Sequence, residues 1–488
     1  MSFSSQTILI IGLAREGRAA AQWLAARGAR VIASDLRPPA EDVREELARL
    51  GVEVVIGPQT EALLQGVDAL AVSPGVPQEI PLLQGARARN LPLTSEPRLF
   101  AQACPAPIVG VTGSSGKTTT TTLAARMLQA SGRRVWLGGN IGDPLLPRLE
   151  DIRSDDRAVM ELSSFQLLYW GETAAWSGAP SPWNDPAGVS PHVAAMLNLT
   201  PNHLDRHPSM AHYAAAKANI LAFQSSDDWA VLNREDAMIG AWARSGRVSI
   251  SAGDGQPAWA FDIPGQVVTF GFQRPAQGDG SWLEDGWIAL RWADETYRVL
   301  PVDGVRLRGR HNLANALAAT VIAAAAGATP EGMAEALAAF QGVPHRLEEV
   351  ARIDGVLWVN DSIATAPERA LAALRSFQEP IVLLAGGRDK HLPWDAWAEE
   401  VHRRVRVVIA FGEARPIIEG ALAHRPPGSR LQAFIPTTDL PAAVREAARV
   451  ARPGEIALLA PGGTSFDAYQ DFAARGQHFR ELVQALIS

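Results

Sequence analysis

The stretch richest in chemistry is Thr112-Gly113-Ser114-Ser115-Gly116-Lys117-Thr118, inside IVGVTGSSGKTTTTTLAARML at 108–128. An apolar, β-branched run leads into glycines, then a lysine, then a helical pattern. Backbone N–H groups at such a helix start can cradle phosphate oxygens. Lys117 would neutralise the outer phosphates, and the Thr118 hydroxyl would reach Mg2+. The common spacing G-x-x-x-x-G-K-[ST] would put glycine where this chain has Val111. The loop is therefore the shorter form T-G-x-x-G-K-T.

Three further stretches carry groups that a bound phosphate could meet. VMELSSFQL sets Glu161 at the end of an apolar run, MLNLTPNHLDRH carries His203 and Asp205, and YAAAKANIL puts Lys217 on a helix. Taken singly, each has a plain reading as a satisfied polar residue, a capping Asp or a solvated Lys. Together, placed after successive strands of one sheet, they form a hard-metal and phosphate site at the carboxyl edge. A second glycine loop, Gly12-Leu13-Ala14-Arg15-Glu16-Gly17, suggests a nucleotide ligand, with Asp35 placed to accept from a ribose hydroxyl. Its central position is Ala14 rather than glycine, which argues against NAD. A turn with no ligand is the other reading of that loop.

These groups need strands and helices to hold them. TILIIGLAREGRAAAQWLAARGARVIASD reads as strand, turn, helix, strand, and the stretch from Ile108 repeats the plan. PIVLLAGGRDKHLPWDAWAEEV and RVVIAFGEARPIIEGAL form a third series. Strands alternating with helices predict an α/β fold of parallel sheets covered on both faces. With 488 residues and about 150 per domain, three domains are expected. FAQACPAPI and FQGVPHRLEEV read as linkers, giving limits of 1–103, 104–342 and 343–488. Residues 171–192 read as a Pro-, Gly- and Ser-rich surface loop. The net charge of −7 gives no electrostatic argument for nucleic acid or an anionic membrane. A single cysteine, Cys104, excludes an internal disulfide framework. The alanine-rich 314–328 segment is too short to span a bilayer and predicts a buried helix. Met1 to Gly12 lacks a basic leader, so a cytoplasmic protein without a signal peptide or membrane insertion is expected.

In order along the chain, TGSSGKTTT, ELSSFQL, LNLTPNHLDRH, AAKANI, GRHNLANALAA, PHRLE, NDSIATAP, GGRDK and GTSFD..QDFAARGQHF resemble the motifs of the Mur ligase superfamily. The resemblance covers essentially the whole chain and is strongest to the branch that adds D-glutamate to UDP-N-acetylmuramoyl-L-alanine in peptidoglycan precursor synthesis. It implies a Rossmann-like N-terminal domain, a central P-loop ATPase-like domain and a Rossmann-like C-terminal domain. It also implies ATP, two Mg2+ ions, an acyl-phosphate intermediate and a monomeric enzyme. Gly113, Ser114, Ser115, Gly116, Lys117, Thr118, Thr119, Asn312, Asn315, Arg346 and Asp361 then serve ATP, with His345 nearby. Thr118, Glu161, His203 and Lys217 serve the metals, and Lys217 is a candidate for carbamylation to N6-carboxylysine. Leu13, Ala14, Asp35, Leu36, Arg37 and Gly75 match the UDP loops. Asn140, Ser163, Gln166 and His203 match the sugar-proximal wall, and Lys390, Ser465 and Phe472 match the glutamate pocket. Lys117, His203, Lys217 and Lys390 are the expected catalytic group. One departure stands out: Ile363 occupies a position where the D-glutamate branch usually carries lysine. Ligation of L-glutamate, or of another amino acid, is therefore the alternative.

Overall fold

The computed structural model describes residues 3–175, 188–204, 206–251, 259–307, 309–390 and 392–487. The chain divides into two compact units, Met1–Phe340 and Gln341–Ser488.

The first unit holds two large sheets and the antiparallel pair Arg247–Ile250 with Trp259–Asp262. Five parallel strands run in the order Glu53–Ile56, Arg30–Asp35, Thr7–Ile11, Ala69–Val72, Leu93–Thr94. The strand order reverses beside Thr7–Ile11, which puts the first glycine loop at the crevice where such sheets bind ligands. The central strands Thr7–Ile11 and Ala69–Val72 are near-continuous apolar runs, as strands covered on both faces require. Ile8, Leu9, Ile10 and Ile11 are all fully buried.

The second sheet has nine strands. Ile108–Thr112 lies between Arg157–Glu161 and Val193–Met196, parallel to both. Val111 is level with Glu161 and Thr112 with Met196, so three loops leave the same carboxyl edge together. The far side departs from the all-parallel expectation. Gly280–Glu284, Trp287–Trp292 and Glu295–Pro301 form an antiparallel meander. Its tight turns hold Asp285, Gly286, Ala293 and Asp294 at positive φ, the backbone that two-residue hairpin loops require. Helix Arg310–Ala325 is buried from Asn315 onward, as its alanine-rich, all-round apolar sequence predicts. Among the described residues no helix is long and apolar enough to cross a membrane.

The second unit is a six-stranded sheet in the order Glu348–Ile353, Val356–Asn360, Ile456–Gly462, Ile381–Gly386, Val405–Phe411, Ala433–Pro436. Only its edge pair, Glu348–Ile353 with Val356–Asn360, is antiparallel.

Candidate functional site

The P-loop has the conformation its sequence requires. Gly116 sits at φ +80 as the N-cap of helix Lys117–Ala130. A Cβ there would also come within 2.3 Å of Asn315 Oδ1, so both backbone angle and space demand glycine. That approach sets Asn315 beside the loop, and its Nδ2 donates to Asn312 Oδ1 at 3.2 Å. The two asparagines expected on the ATP side are thus together.

Lys117 curls back over the loop, donating to the carbonyls of Gly113 (3.0 Å) and Ser114 (3.4 Å). The Thr118 hydroxyl donates to Glu161 Oε2 at 2.7 Å. Asn140 donates from Nδ2 to the other Glu161 oxygen, at 2.8 Å. Glu161 is almost fully buried, and its carboxylate faces a hydroxyl and an amide. A hydroxyl and a carboxylate at a phosphate loop are hard oxygen donors of the kind Mg2+ accepts, with phosphate oxygens filling its shell. Among the described residues no group of three His, Cys, Asp or Glu side chains could hold a metal by itself.

Lys217 is buried behind this pair. Its Nζ donates to Thr112 Oγ1 at 3.2 Å and lies 4.9 Å from the Tyr213 ring centroid. Burial, reinforced by the Lys117 charge, drives its pKa well below that of a free lysine, and Glu161 only partly opposes this. The charged form of the amine is therefore disfavoured. His203 has a positive φ of 54 and meets the edge of the Phe165 ring. Asp205 and residues 176–187 of the expected surface loop lie outside the described residues.

Three residues that sequence reading did not single out support this edge. Asn198 accepts from Ser115 N–H at 2.8 Å and returns a bond to the Ser115 carbonyl at 3.1 Å. The Tyr213 hydroxyl donates to Ser114 Oγ at 3.0 Å. His207 is buried against Ser164 and His212, and burial pushes its pKa down to about 4. Asn198 follows a strand end in a quoted motif, which was the available signal. Tyr213 gave none because its partner Ser114 is distant in sequence, and nothing in the pattern around His207 showed that it would be buried against Ser164.

At the first sheet, Asp35 is engaged by backbone. Its Oδ2 accepts from Leu13 N–H at 2.7 Å and its Oδ1 from Arg37 N–H at 3.1 Å. The carboxylate thus fixes the loop that carries Leu13 and Ala14, while Leu36 stays exposed. Gly75 is unobstructed. Ser163 and Gln166 are joined, with Gln166 Oε1 accepting from Ser163 N–H at 2.9 Å.

In the second unit, His345, Arg346 and Asp361 converge at the end of strand Val356–Asn360. Asp361 Oδ1 accepts from Leu347 N–H at 3.0 Å, and Asn360 Nδ2 lies 3.1 Å from His345 Nδ1. Burial raises the Asp361 pKa to about 6, against that hydrogen bond and the Arg346 and Arg369 charges. Lys390 follows strand Ile381–Gly386, and burial, then Arg369, lowers its pKa. Ser465 is buried, and Phe472 opens the last helix with its ring 6.2 Å from His345. The residue missed here is Arg475. It is fully buried and binds Ser362 Oγ at 3.0 Å together with the carbonyls of Gly463 (3.2 Å) and Thr464 (3.1 Å). One guanidinium therefore fixes the loops that carry Asp361 and Ser465.

Residues 6–95 match the family described as Mur ligase MurD-like, N-terminal domain. Residues 111–323 match the Mur ligase middle domain, and 345–463 the Mur ligase, glutamate ligase domain. The chain is 39% identical to the UDP-N-acetylmuramoylalanine–D-glutamate ligase of Symbiobacterium thermophilum, over 98% of this chain and 97% of that protein. It is 37% identical to the protein of that name from Pelotomaculum thermopropionicum, over 99% and 98%. Among solved structures, UDP-N-acetylmuramate-alanine ligase MurC of Thermotoga maritima shares the fold at a TM-score of 0.52 and 17% identity, covering 98% of this chain and 99% of that one. MurF ligase from the same organism, solved in complex with ADP, gives 0.52 and 17% over 94% and 96%.

Proposed function

Because the chain belongs to the Mur ligase family, we propose that it carries out the ligation for which its full-length relatives are named. It joins D-glutamate to UDP-N-acetylmuramoyl-L-alanine at the expense of ATP, a step in peptidoglycan precursor synthesis. The observation that carries this reading is the convergence of Lys117, the Thr118–Glu161 pair and buried Lys217 on one sheet edge.

A carboxylate is a poor electrophile at neutral pH. Its oxygen attacks the γ-phosphorus of ATP, ADP leaves, and the acyl phosphate that results is attacked by the glutamate amine with loss of phosphate. Both steps spread negative charge over phosphate oxygens, which fixed cations and N–H groups stabilise. Gly113 to Thr119 cradle the phosphates, and Lys117 neutralises them once it swings off its two carbonyls. Asn312 and Asn315 serve the adenine side. Thr118, Glu161, His203 and Lys217 would hold Mg2+, which supplies charge neutralisation at the transferred group. Burial disfavours the ammonium form of Lys217, which suits carbamylation: a free amine attacks CO2, releases a proton, and leaves a carboxylate-like oxygen ligand. Leu13, Ala14, Asp35, Leu36, Arg37 and Gly75 take the uridine nucleotide, and Asn140, Ser163 and Gln166 the sugar side. Arg346 and Asp361 serve ATP, while Lys390, Ser465 and Phe472 serve glutamate. We further assign domain limits of 1–103, 104–342 and 343–488, two metal ions, a cytoplasmic location and a monomeric state.

Phosphate release tests the reading. It should require ATP, UDP-N-acetylmuramoyl-L-alanine and D-glutamate together. Release with ATP alone would mark a simple NTPase, and product from L-glutamate but not D-glutamate would overturn the stereochemical assignment.

A further inference from the structure

Two carboxyl groups between the first and second sheets are unused by this reaction. Glu16 lies in the first turn of helix Arg15–Ala25, directly after the first glycine loop. Glu96 opens helix Glu96–Ala103, which leads toward the central sheet. The two helices pack on each other and on the short helix Leu146–Asp151. Glu96 is 3% exposed, and its Oε1 accepts from Leu146 N–H at 2.9 Å. Glu16 Oε1 accepts from Gln166 Nε2 at 2.7 Å. Its second oxygen is buried, with no hydrogen-bond partner among the described residues.

The far end of Gln166 is fixed independently. Its Oε1 accepts from both the N–H (2.9 Å) and the hydroxyl (3.0 Å) of Ser163. The amide NH2 must therefore point at Glu16. A single carboxyl thus joins the helix that follows the uridine loop to the start of helix Ser164–Ala175, in the stretch that also carries Glu161.

We propose that Glu16, carrying a proton and backed by Glu96, is a positioning residue that ties the first glycine loop to Gln166 and Ser163 and so sets the wall for the uridine-sugar substrate. This rests on the substrate assignment of Gln166 and Ser163 made above. A buried carboxylate oxygen without a donor is costly, and a proton removes that cost. Burial lifts the Glu16 pKa to about 7, and burial together with the Glu16 charge lifts Glu96 to about 8. The surrounding charges are engaged elsewhere. Arg15, which opposes the rise at Glu16, donates to the Gly142 carbonyl. Arg98 on the Glu96 helix donates to the Leu93 and Tyr169 carbonyls. Arg148 pairs with Asp151, Arg27 with Glu150 and Arg18 with Glu46, and Asp35 is held by backbone. Below about pH 7 both carboxyls are neutral; above about pH 8 both are charged and repel each other.

Full-length wild type, Glu16→Gln and Glu16→Leu should be compared from about pH 6 to about pH 9, across the two carboxyl pKa values. Kinetics and calorimetric binding of UDP-N-acetylmuramoyl-L-alanine are measured in parallel. In wild type, KM and Kd for this substrate should rise about fivefold across the window while KM for ATP stays flat. Glu16→Gln keeps an acceptor for Gln166 and cannot ionise, so it should hold the low values throughout. Glu16→Leu has no acceptor and should raise both about tenfold at every pH. A wild-type pH rise retained by Glu16→Gln, an unchanged Kd in Glu16→Leu, or an equal shift in KM for ATP would each overturn the proposal. If wild type binds the UDP-sugar but makes no product with D-glutamate, the proposed reaction fails and the Kd profiles alone decide the role of Glu16. A wild type that does not bind the UDP-sugar overturns both.

Discussion

The first unit builds two glycine turns on one plan, strand then glycine turn then helix, and gives them different first helical turns. The P-loop helix begins with Lys117 and has no acidic residue in its first turn. The helix after the first loop begins with Arg15 and Glu16, and Glu16 is turned inward. Neither helix has a side-chain cap, so both leave N–H groups to be satisfied. In the P-loop those groups lie beside Lys117, and the positive end of a helix favours an anion. In the first loop a carboxyl already occupies the first turn, where a dinucleotide fold would seat a pyrophosphate. The strand–turn–helix plan therefore supplies a place, and the residues of the first helical turn set its charge and hydrogen bonding.

The sharpest break between the two loops should come from Lys117→Ala. Loss of the lysine that reaches back over the Gly113 and Ser114 carbonyls removes charge stabilisation worth about 10^2- to 10^3-fold or more in kcat. Binding of UDP-N-acetylmuramoyl-L-alanine, measured by calorimetry, should be nearly unchanged. Equal loss of both would mean that the two loops form one site. Lys217→Ala comes next, with a loss of about 10^2-fold in kcat. If the carbamate forms, formate or acetate should restore part of that loss by returning oxygen ligands. Full activity in the variant would reduce Lys217 to a packing residue.

The buried acids give a smaller effect, visible without substrate. A carboxyl whose pKa rises on folding stabilises the fold while protonated. That contribution is complete below the ordinary value of 4.5 and is lost as pH climbs through the folded values of about 7 for Glu16 and about 8 for Glu96. The lift at Glu16, from 4.5 to about 7, corresponds to about 3 kcal/mol. Tm should therefore fall as pH rises through this window, and Glu16→Gln should flatten the slope. An unchanged slope would place the titration elsewhere.

The P-loop side was legible because its parts are set by local rules. A glycine turn between strand and helix has few solutions, and parallel strands in register bring Glu161 and the 197–203 stretch to the same edge without any side-chain knowledge. The parallel core of each sheet followed from continuous apolar runs. The antiparallel meander at 280–301 was missed although its first turn, Asp285-Gly286, is a standard hairpin signal; only the second turn, Ala293-Asp294, lacks glycine. The acid pair was not legible at all. Glu16 and Gln166 are 150 residues apart in sequence and meet only through packing, and a Glu in a first helical turn ordinarily reads as a favourable surface charge. Arg475 was hidden for a similar reason: a guanidinium on a charged helix gives no sign that it will be fully buried on loop carbonyls.

The smallest expected effect completes the comparison on the acidic side. Asp35 does for the first loop what Asn198 does for the P-loop, since each accepts an N–H of its loop through one side-chain oxygen. Asp35 also accepts from Arg37 N–H, so both its oxygens are engaged. Asp35→Asn keeps one acceptor and turns the other into a donor facing an N–H. One hydrogen bond is lost from a part-buried loop, and that is worth about 1 kcal/mol. KM for UDP-N-acetylmuramoyl-L-alanine should rise about fivefold, while KM for ATP and kcat hold steady. Asn198→Ala should do the reverse, raising KM for ATP and leaving the UDP-sugar untouched. If Asp35→Asn moved KM for ATP instead, the two loops would not divide the substrates as proposed.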